Sequence, residues 1–251
     1  MKIIAPAKLN LCLDVLKKDA SGYHQVWTIF QETNQLCDEL EIFETQEDDK
    51  VSTSDGVEIN LVTRAIKLVK KFYVIDKCVE VKIKKGIPFS SGLGGVSSDA
   101  AATLKGLSEL WGLKLSKEAL VELAAHLGSD VAFFINGGTA LGSHYGEHLT
   151  PLKPIKGVKF EIQPQETWPA FPDEMQHDFM GSKTKSMYES LDLSKCGKEK
   201  GKTEKILLAL ESGDAKGVLE NLHNDFETIL APPKGLRLSG SGPAIFKASL
   251  T

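Results

Sequence analysis

The sequence predicts an α+β fold, because runs with strand periodicity open the chain and helical patterns follow them. The strand-like runs lie at residues 2–17, 26–30, 39–44 and 78–84. The first three are predicted to form an antiparallel sheet, with alternate apolar residues of the first run on one face. A helix is predicted from Asn60, placed as its N-cap, to about Tyr73, since apolar residues recur there at spacings of three and four. A glycine-rich loop between a strand and a helix completes the pattern.

The glycine-rich loop lies within residues 87–103 and precedes a helix whose apolar residues recur from Ala100 to Trp111. Glycine lets a backbone approach an anion without a Cβ in the way. The first amides of the following helix are unpaired and lie at the positive end of its dipole, and Ser97 and Ser98 add hydroxyl donors. An ordinary turn is the alternative. Three glycines and several hydroxyls at a helix start favour a site for a di- or triphosphate.

Two common phosphate motifs do not fit this loop. A P-loop needs a lysine after its last glycine, whereas Val96 and Ser97 follow Gly95. A dinucleotide GxGxxG motif would need a third glycine where Ser97 stands. Valine strongly disfavours positive φ, so the backbone at Val96 is predicted to be helical or extended.

Composition narrows the class of protein. A chain of 251 residues can form one domain or two modest ones. The net charge of −4 disfavours general binding to nucleic acid or to anionic membranes. Four cysteines without a CxxC pair are expected to be reduced thiols. No apolar run approaches a membrane span and the first residues enter a strand at once, so we expect a cytoplasmic protein without a signal peptide.

The rest of the chain is predicted to alternate between helices and strands. Ser116 caps a helix that ends at Gly128, and residues 130–134 form a short apolar segment opened by a carboxylate. In the second half, a strand is predicted at residues 159–163. Helices are predicted at residues 203–211 and 215–230, and a short one at 185–191 within a loop-rich region.

Three further segments carry polar residues that have a simple explanation when each is taken alone. Lys8 shares one strand face with Asn10 and could be an edge-strand lysine that reaches water. Asp130 follows a helix break and could be an N-cap. The segment Ser239-Gly240-Ser241-Gly242 could be a hairpin turn.

Together with the glycine-rich loop, these segments resemble the three signatures of the GHMP kinase superfamily, in their expected order. Within it, the chain resembles the 4-diphosphocytidyl-2-C-methyl-D-erythritol kinases of the non-mevalonate isoprenoid pathway. The resemblance covers residues 2–246 and rests on Pro6-Ala7-Lys8-Leu9-Asn10-Leu11, Gly22-Tyr23-His24, Asn60-Leu61, Ile87-Pro88, Gly92-Leu93-Gly94-Gly95, Asp130-Val131 with Phe133-Phe134, and Ser239-Gly240-Ser241-Gly242. Gly22-Tyr23-His24 is the discriminating segment, since other superfamily members place different substrate-binding residues there.

The resemblance implies a two-domain α+β architecture with the active site in the cleft between the domains. Residues 1–153 would form a ribosomal protein S5-like domain for ATP binding and catalysis, and residues 154–251 a ferredoxin-like domain on the substrate side. The implied reaction is in-line phosphorylation of a small alcohol by ATP. Mg²⁺ would be bound largely through phosphates and water rather than by a protein metal site. The implied protein is a monomer or weak homodimer that acts on a cytidine diphosphate-linked methylerythritol.

The resemblance also implies roles for individual residues. Asp130 would accept the hydroxyl proton, and Lys8 would stabilise the reacting oxygen. ATP would be bound by Asn60, Leu61, Lys85, Pro88, Ser91, Gly92, Leu93, Gly94, Gly95, Val96, Ser97 and Ser98. The second substrate would be bound by Asn10, Tyr23, His24, Thr184, Tyr188, Ser239 and Gly240, with Tyr188 stacking on the cytosine.

The chain also departs from the family pattern. Its loop carries less glycine than is usual, with Val96 after Gly95, and the segment formed by residues 168–181 is longer than the corresponding segment usually is. The family continues beyond Phe246 with a helix and a strand, so an edge element of the second domain is expected to be missing. Two other functions stay open: a GHMP kinase for another alcohol such as mevalonate or homoserine, and a binding or sensor protein on the same scaffold.

Overall fold

The structure is a computed structural model that describes residues 1–20, 22–163 and 183–251. Residues 168–181, whose role the sequence left unassigned, lie outside the described residues. Contacts divide the chain into two compact units that interleave along the sequence. The first unit comprises Met1–Ala7, Thr33–Phe89 and Gly94–Gly137; the second comprises Lys8–Glu32, Ser90–Leu93 and Gly138–Thr251. The division into domains at residue 153 stays a prediction.

The described elements confirm the α+β fold. The strands are β1 (Lys2–Lys18), β2 (His24–Thr45), β3 (Lys50–Thr53), β4 (Cys78–Lys84), β5 (Thr139–Ser143), β6 (His148–Pro151), β7 (Val158–Gln163), β8 (His223–Asn224), β9 (Arg237–Leu238) and β10 (Ile245–Leu250). The helices are α1 (Asn60–Tyr73), α2 (Gly95–Leu110), α3 (Lys117–Ala125), α4 (Ser129–Asn136), α5 (Lys183–Glu189), α6 (Lys200–Ser212) and α7 (Ala215–Glu220), with a 3₁₀ turn at Asp225–Thr228.

The first unit packs helices against a mixed sheet. The second half of β2 pairs antiparallel with β4, and β3 pairs parallel with β4. Met1 extends this sheet, because its amino group donates to the Ile42 carbonyl at 2.6 Å and the Ile42 amide donates back at 2.9 Å. The apolar stripe of α1 is buried through Val62, Ala65, Ile66 and Val69. The strand, loop and helix predicted around the glycines are present as β4, the loop and α2.

The second unit contains a hairpin and a small separate sheet. The first half of β2 pairs antiparallel with β5, which pairs antiparallel with β6, while β8 pairs parallel with β1. Strand β10 lies antiparallel between β7 and β9. The core brings together apolar residues from distant parts of the sequence: Leu13, Val15, Val26, Met187, Leu191, Cys196, Phe226, Leu230, Leu238 and Ile245.

Three local predictions are wrong in detail. Strand β2 runs unbroken for 22 residues where two strands were predicted. Asn60 is the first residue of α1 rather than its cap, since Ile59 precedes the helix and makes no capping side-chain bond. The helix predicted at residues 215–230 ends at Glu220, because side chains bind backbone groups beyond it. Asn224 donates to the carbonyls of Leu238 and Gly240, and its oxygen accepts the Phe226 amide.

The cysteines and the helix lengths bear on the expectations drawn from composition. All four cysteines are free thiols, and burial raises the pKa of Cys12 to about 12. In the part of the chain that the structure describes, every helix is too short or too polar to span a bilayer.

The end of α1 yields a test of local strain. Val74 has a φ of 53°, a left-handed conformation that β-branched residues rarely adopt, and its side chain is exposed. We expect Val74→Gly to raise the free energy of unfolding by about 1 kcal/mol, because glycine removes this strain and leaves no cavity. Urea denaturation measures the change. Val74→Ala keeps the Cβ and should gain less, and a loss of stability in Val74→Gly would contradict the explanation.

Candidate functional site

Lys8 is a buried cation in the second unit. Its residue is 4% exposed, and its ammonium group donates to the Asn10 Oδ1 at 2.6 Å and to the Gly92 carbonyl at 2.8 Å. The alternative of an edge-strand lysine that reaches water is therefore wrong. Asn10 in turn donates to the Thr28 hydroxyl at 2.7 Å, which fixes the amide so that its oxygen faces the ammonium. Burying a charge requires such partners.

Two glycines allow the main chain to approach this lysine. A Cβ placed on Gly240 would lie 2.9 Å from the Gly92 carbonyl oxygen and 3.2 Å from the Lys8 Nζ. A Cβ on Gly92 would lie 2.2 Å from the Ser239 carbonyl oxygen. The structure thus brings the predicted residues Lys8, Asn10, Ser239 and Gly240 together with the Gly92 part of the loop. The segment is also a hairpin turn, since β9 and β10 pair on either side of it.

The loop residues Ser90–Leu93 are held by main-chain bonds within the second unit. The Leu93 carbonyl accepts the Lys8 amide at 2.9 Å, and the Ser91 carbonyl accepts the Ala244 amide at 2.9 Å. Ser91 itself is buried. These contacts fix the loop from both the first strand and the last hairpin.

Lys183, which no sequence pattern singled out, lies beside the same loop segment. Its residue is 6% exposed, and its ammonium group donates to the Ser90 carbonyl at 2.6 Å and to the Gly242 carbonyl. Burial and then the positive charge of Lys8 lower its pKa to about 7. A lysine so perturbed beside a phosphate-type loop is a candidate anion ligand. Nothing in the sequence around Lys183 distinguishes this buried lysine from Lys185, which is exposed.

An aromatic pair supports the predicted cytosine site. The rings of His24 and Tyr188 stack with centroids 5.1 Å apart and an interplanar angle of 18°. Tyr188 also packs edge-on against Phe226 at 4.9 Å, which orients it from the core side. Burial, with the charge of Lys18, lowers the pKa of His24, which favours the neutral ring, a form that can both donate and accept a hydrogen bond.

Two other predicted substrate residues lie at the surface. Tyr23 is 68% exposed, with its ring 5.6 Å from the Tyr145 ring. Thr184 is exposed in the first turn of α5. Tyr23 therefore lies exposed at the surface, while the ring of its neighbour His24 stacks on that of Tyr188.

The start of α2 has the features of an anion site. Gly94 precedes the helix with a φ of 77°, and Val96 and Ser97 are helical, as predicted for Val96. The Ser98 hydroxyl is buried without a hydrogen-bond partner among the described residues. A buried hydroxyl costs free energy unless it is paired, so a ligand that binds it would be favoured. The first amides of this 16-residue helix are not used by its own bonds.

A buried triad lies at the beginning of the glycine-rich segment, within the first unit. Lys85 donates to the Asp38 carboxylate and to the Asp99 Oδ2 at 2.8 Å. The other Asp38 oxygen accepts the amides of Gly86 and Ile87 at 2.7 and 2.8 Å. Lys85, predicted to bind ATP, thus places its ammonium group between two carboxylates. Asp38 and Asp99 were not predicted to take part.

The other predicted residues of the first unit lie at helix starts and in the loop. Asn60 and Leu61 form the first turn of α1, and Pro88 is half-buried in the loop after β4. Asp130 is half-buried in the first turn of α4. It is not the N-cap, because Gly128 holds that position without a side-chain bond. An N-cap role alone therefore does not explain Asp130.

Known proteins similar to this chain include small-molecule kinases. A family model described as GHMP kinases N terminal domain matches residues 60–138. A 4-diphosphocytidyl-2-C-methyl-D-erythritol kinase from Caldicellulosiruptor saccharolyticus is 36% identical over 267 residues, which cover 98% of this chain and 87% of that protein. A crystal structure of 4-(cytidine 5'-diphospho)-2C-methyl-D-erythritol kinase aligns with a TM-score of 0.73 and 28% identity over 98% of this chain and 89% of that one. The phosphomevalonate kinase of Streptococcus pneumoniae, at a TM-score of 0.70 and 14% identity over 100% and 92%, shares the fold alone.

The buried triad predicts a pH dependence of stability. Burial raises the pKa of Asp99 to about 7, although the charge of Lys85 acts in the opposite direction. Between about pH 4 and pH 7 the folded state then holds a proton that the unfolded state has lost, so this group lowers the free energy of unfolding as pH rises. We expect the wild type to lose about 2 kcal/mol more than Asp99→Asn between pH 5 and pH 8.

Urea denaturation at both pH values measures this difference. Asp48→Asn, which neutralises an exposed carboxylate in the same unit, is the matched control and should leave the wild-type slope unchanged. Parallel pH profiles for the wild type and Asp99→Asn would contradict the raised pKa.

Proposed function

This chain belongs to the 4-diphosphocytidyl-2-C-methyl-D-erythritol kinases, and we propose that it transfers the γ-phosphoryl group of ATP to the 2-hydroxyl of 4-diphosphocytidyl-2-C-methyl-D-erythritol. The products are the 2-phosphate and ADP. The observation that carries the substrate assignment is the His24–Tyr188 stack, because an aromatic face can stack on a nucleobase and an imidazole can form hydrogen bonds with its edge. Mevalonate and homoserine offer no ring to stack.

The glycine-rich loop and the start of α2 are proposed to bind the ATP phosphates. The helix offers amides that its own bonds do not use, and Ser98 offers a buried hydroxyl whose pairing with a ligand would recover the cost of its burial. Mg²⁺, which prefers oxygen ligands and keeps several waters, would be held chiefly by the phosphates, and the Ser98 oxygen suits it as a protein ligand. When bound, the ion neutralises charge on the transferring group. Asn60 and Leu61 are proposed to border the adenine.

Asp130 and Lys8 are proposed to act on the attacking hydroxyl. A bond forms between the substrate oxygen and the γ-phosphorus while the bond from that phosphorus to the leaving ADP oxygen breaks, and the hydroxyl proton passes to the Asp130 carboxylate. An aspartate is a weak base for an alcohol. It suffices here because the loose transition state needs little activation of the nucleophile. The buried ammonium group of Lys8 would stabilise negative charge that develops on that oxygen.

Lys183 is proposed to strengthen the binding of the phosphate-bearing substrates. Its ammonium group contacts the Ser90 carbonyl, at the start of the loop segment that Lys8 also holds. A lysine with a pKa near 7 gains its proton when an anion arrives, since the negative charge favours the charged form. Binding of a phosphate would therefore be accompanied by proton uptake at neutral pH.

Removing the proton acceptor should slow turnover. We expect Asp130→Asn to lower kcat by about a hundredfold to ten-thousandfold with little change in KM for either substrate, because the amide binds but does not take the proton. ADP release with Mg²⁺ and ATP measures the rate. Asp76→Asn, an exposed carboxylate of the same unit, should keep wild-type activity. Near-native turnover in Asp130→Asn would remove Asp130 from the mechanism.

The stacked tyrosine should set the affinity for the cytidine substrate. We expect Tyr188→Ala to raise KM for that substrate about tenfold to a hundredfold and to leave KM for ATP unchanged, because a lost base stack costs about 1–3 kcal/mol. Tyr188→Phe keeps the ring and should behave like the wild type. Equal effects on both Michaelis constants would indicate that the variant has loosened the packing on Phe226 instead.

The substrate class itself is tested by a panel. ADP release is compared with the cytidine compound, mevalonate and homoserine. Turnover with the cytidine compound alone is expected. Turnover with another alcohol would replace the proposed substrate, and ATP binding without turnover of any alcohol would favour a binding or sensor protein.

A further inference from the structure

The turn of the β5–β6 hairpin carries three metal-ligating side chains within five residues. His144 and Glu147 lie in the turn, and His148 opens β6. Among the described residues, their ligand atoms form a group in which all lie within 4.8 Å of one another. None of the three has a place in the proposed kinase reaction. The hairpin belongs entirely to the second unit.

The two imidazoles converge on one carboxylate oxygen. The His144 Nδ1 contacts the Glu147 Oε1 directly, and the His148 Nε2 lies 3.7 Å from that same oxygen. The distance between His148 and Glu147 is close to the roughly 3.4 Å that separates ligand atoms around a tetrahedral Zn²⁺, given bonds of about 2.0–2.1 Å, whereas the His144–Glu147 contact is shorter and would lengthen on binding. The His144 and His148 rings are nearly parallel, at 16° and 5.0 Å. Ion pairs with Glu147 are the alternative explanation of both contacts.

The backbone holds the ligands in this arrangement. The second Glu147 oxygen accepts the Tyr145 amide at 2.8 Å, so the first oxygen is turned toward the imidazoles. The His144 carbonyl accepts the Val26 amide at 2.7 Å, which ties the turn to β2. His144 adopts a φ of 63°, a conformation that non-glycine residues rarely occupy without a compensating contact.

Exposure of the group fits a site that a free ion can reach. The side chains of His144 and Glu147 are half-buried, whereas that of His148 is 69% exposed. Solvent can therefore supply the remaining ligands. By contrast, the buried His223 has both ring nitrogens engaged, with Asp14 and the Asn221 carbonyl. It has no nitrogen to offer a metal.

We propose that His144, Glu147 and His148 bind a divalent transition metal ion of the Zn²⁺ class, with water completing the coordination. Two nitrogen ligands and one oxygen suit zinc, cobalt, nickel or copper, whereas magnesium prefers oxygen ligands in an octahedron. This site is therefore distinct in chemistry from the Mg²⁺ that accompanies a nucleotide. Binding of the metal ion would restrict motion of the hairpin turn, which includes Tyr145, whose ring contacts the Tyr23 ring.

The test is Zn²⁺ binding by calorimetry, with protein that carries no polyhistidine tag and with millimolar Mg²⁺ present throughout. We expect one equivalent of Zn²⁺ to bind and to raise the melting temperature. Co²⁺ at the same site should show the visible absorption of a tetrahedral complex. No binding to the wild type in the presence of Mg²⁺ would overturn the proposal.

Three variants locate the site. His148→Ala removes an exposed ligand and should weaken Zn²⁺ binding at least about tenfold and abolish the rise in melting temperature. Glu147→Gln keeps the side-chain shape and should weaken binding similarly. His126→Ala, an exposed histidine of the other unit, is the matched control and should bind like the wild type. Unchanged binding in both His148→Ala and Glu147→Gln would place the metal elsewhere, for instance on a cysteine, and would refute the site.

Discussion

The burial of the Lys8 ammonium group is the constraint on which the candidate site depends. A charge removed from water needs strong partners, and here they are the Asn10 side chain and the Gly92 carbonyl. The carbonyl can reach the lysine only because residues 92 and 240 lack a Cβ. The lysine, the loop glycine and the hairpin glycine therefore form one steric unit. A side chain at either glycine would move the cation as well as the backbone.

The first unit also contains buried charged groups, which are paired by a different set of partners. Asp38 accepts two successive amides just after β4 and also binds Lys85, which in turn binds Asp99 near the start of α2. The carboxylates thus fix both where the strand ends and where the helix begins. The glycine-rich loop is flexible by composition but is anchored by buried charges in each unit. Preorganised amides at such a loop bind an anion without first paying the cost of ordering the chain.

Much of the fold and part of the candidate site could be predicted from the sequence, because short-range patterns carry that information. The glycines, serines and helix periodicity around residues 87–103 are local, and they match β4 and α2. Lys183 could not be found, because nothing local distinguishes it from the exposed Lys185. Asp38 was missed for the same reason, since its amide partners lie nearly fifty residues away. The helix predicted through residue 230 failed because Asn224 and Asp225 bind distant backbone groups, a preference that no periodicity reveals.

The interleaving of the two units bears on how the chain reaches this structure. One core contains Leu13, Val15 and Val26 together with Phe226 and Ile245. This core therefore cannot form until the last strand has been synthesised. The first unit draws on nothing beyond Gly137 and can close much earlier during synthesis. Non-local pairing of this kind slows folding and leaves apolar strand faces open in the meantime. The apolar residues of β1 and β2 that join this core should therefore stay exposed until β10 has been synthesised.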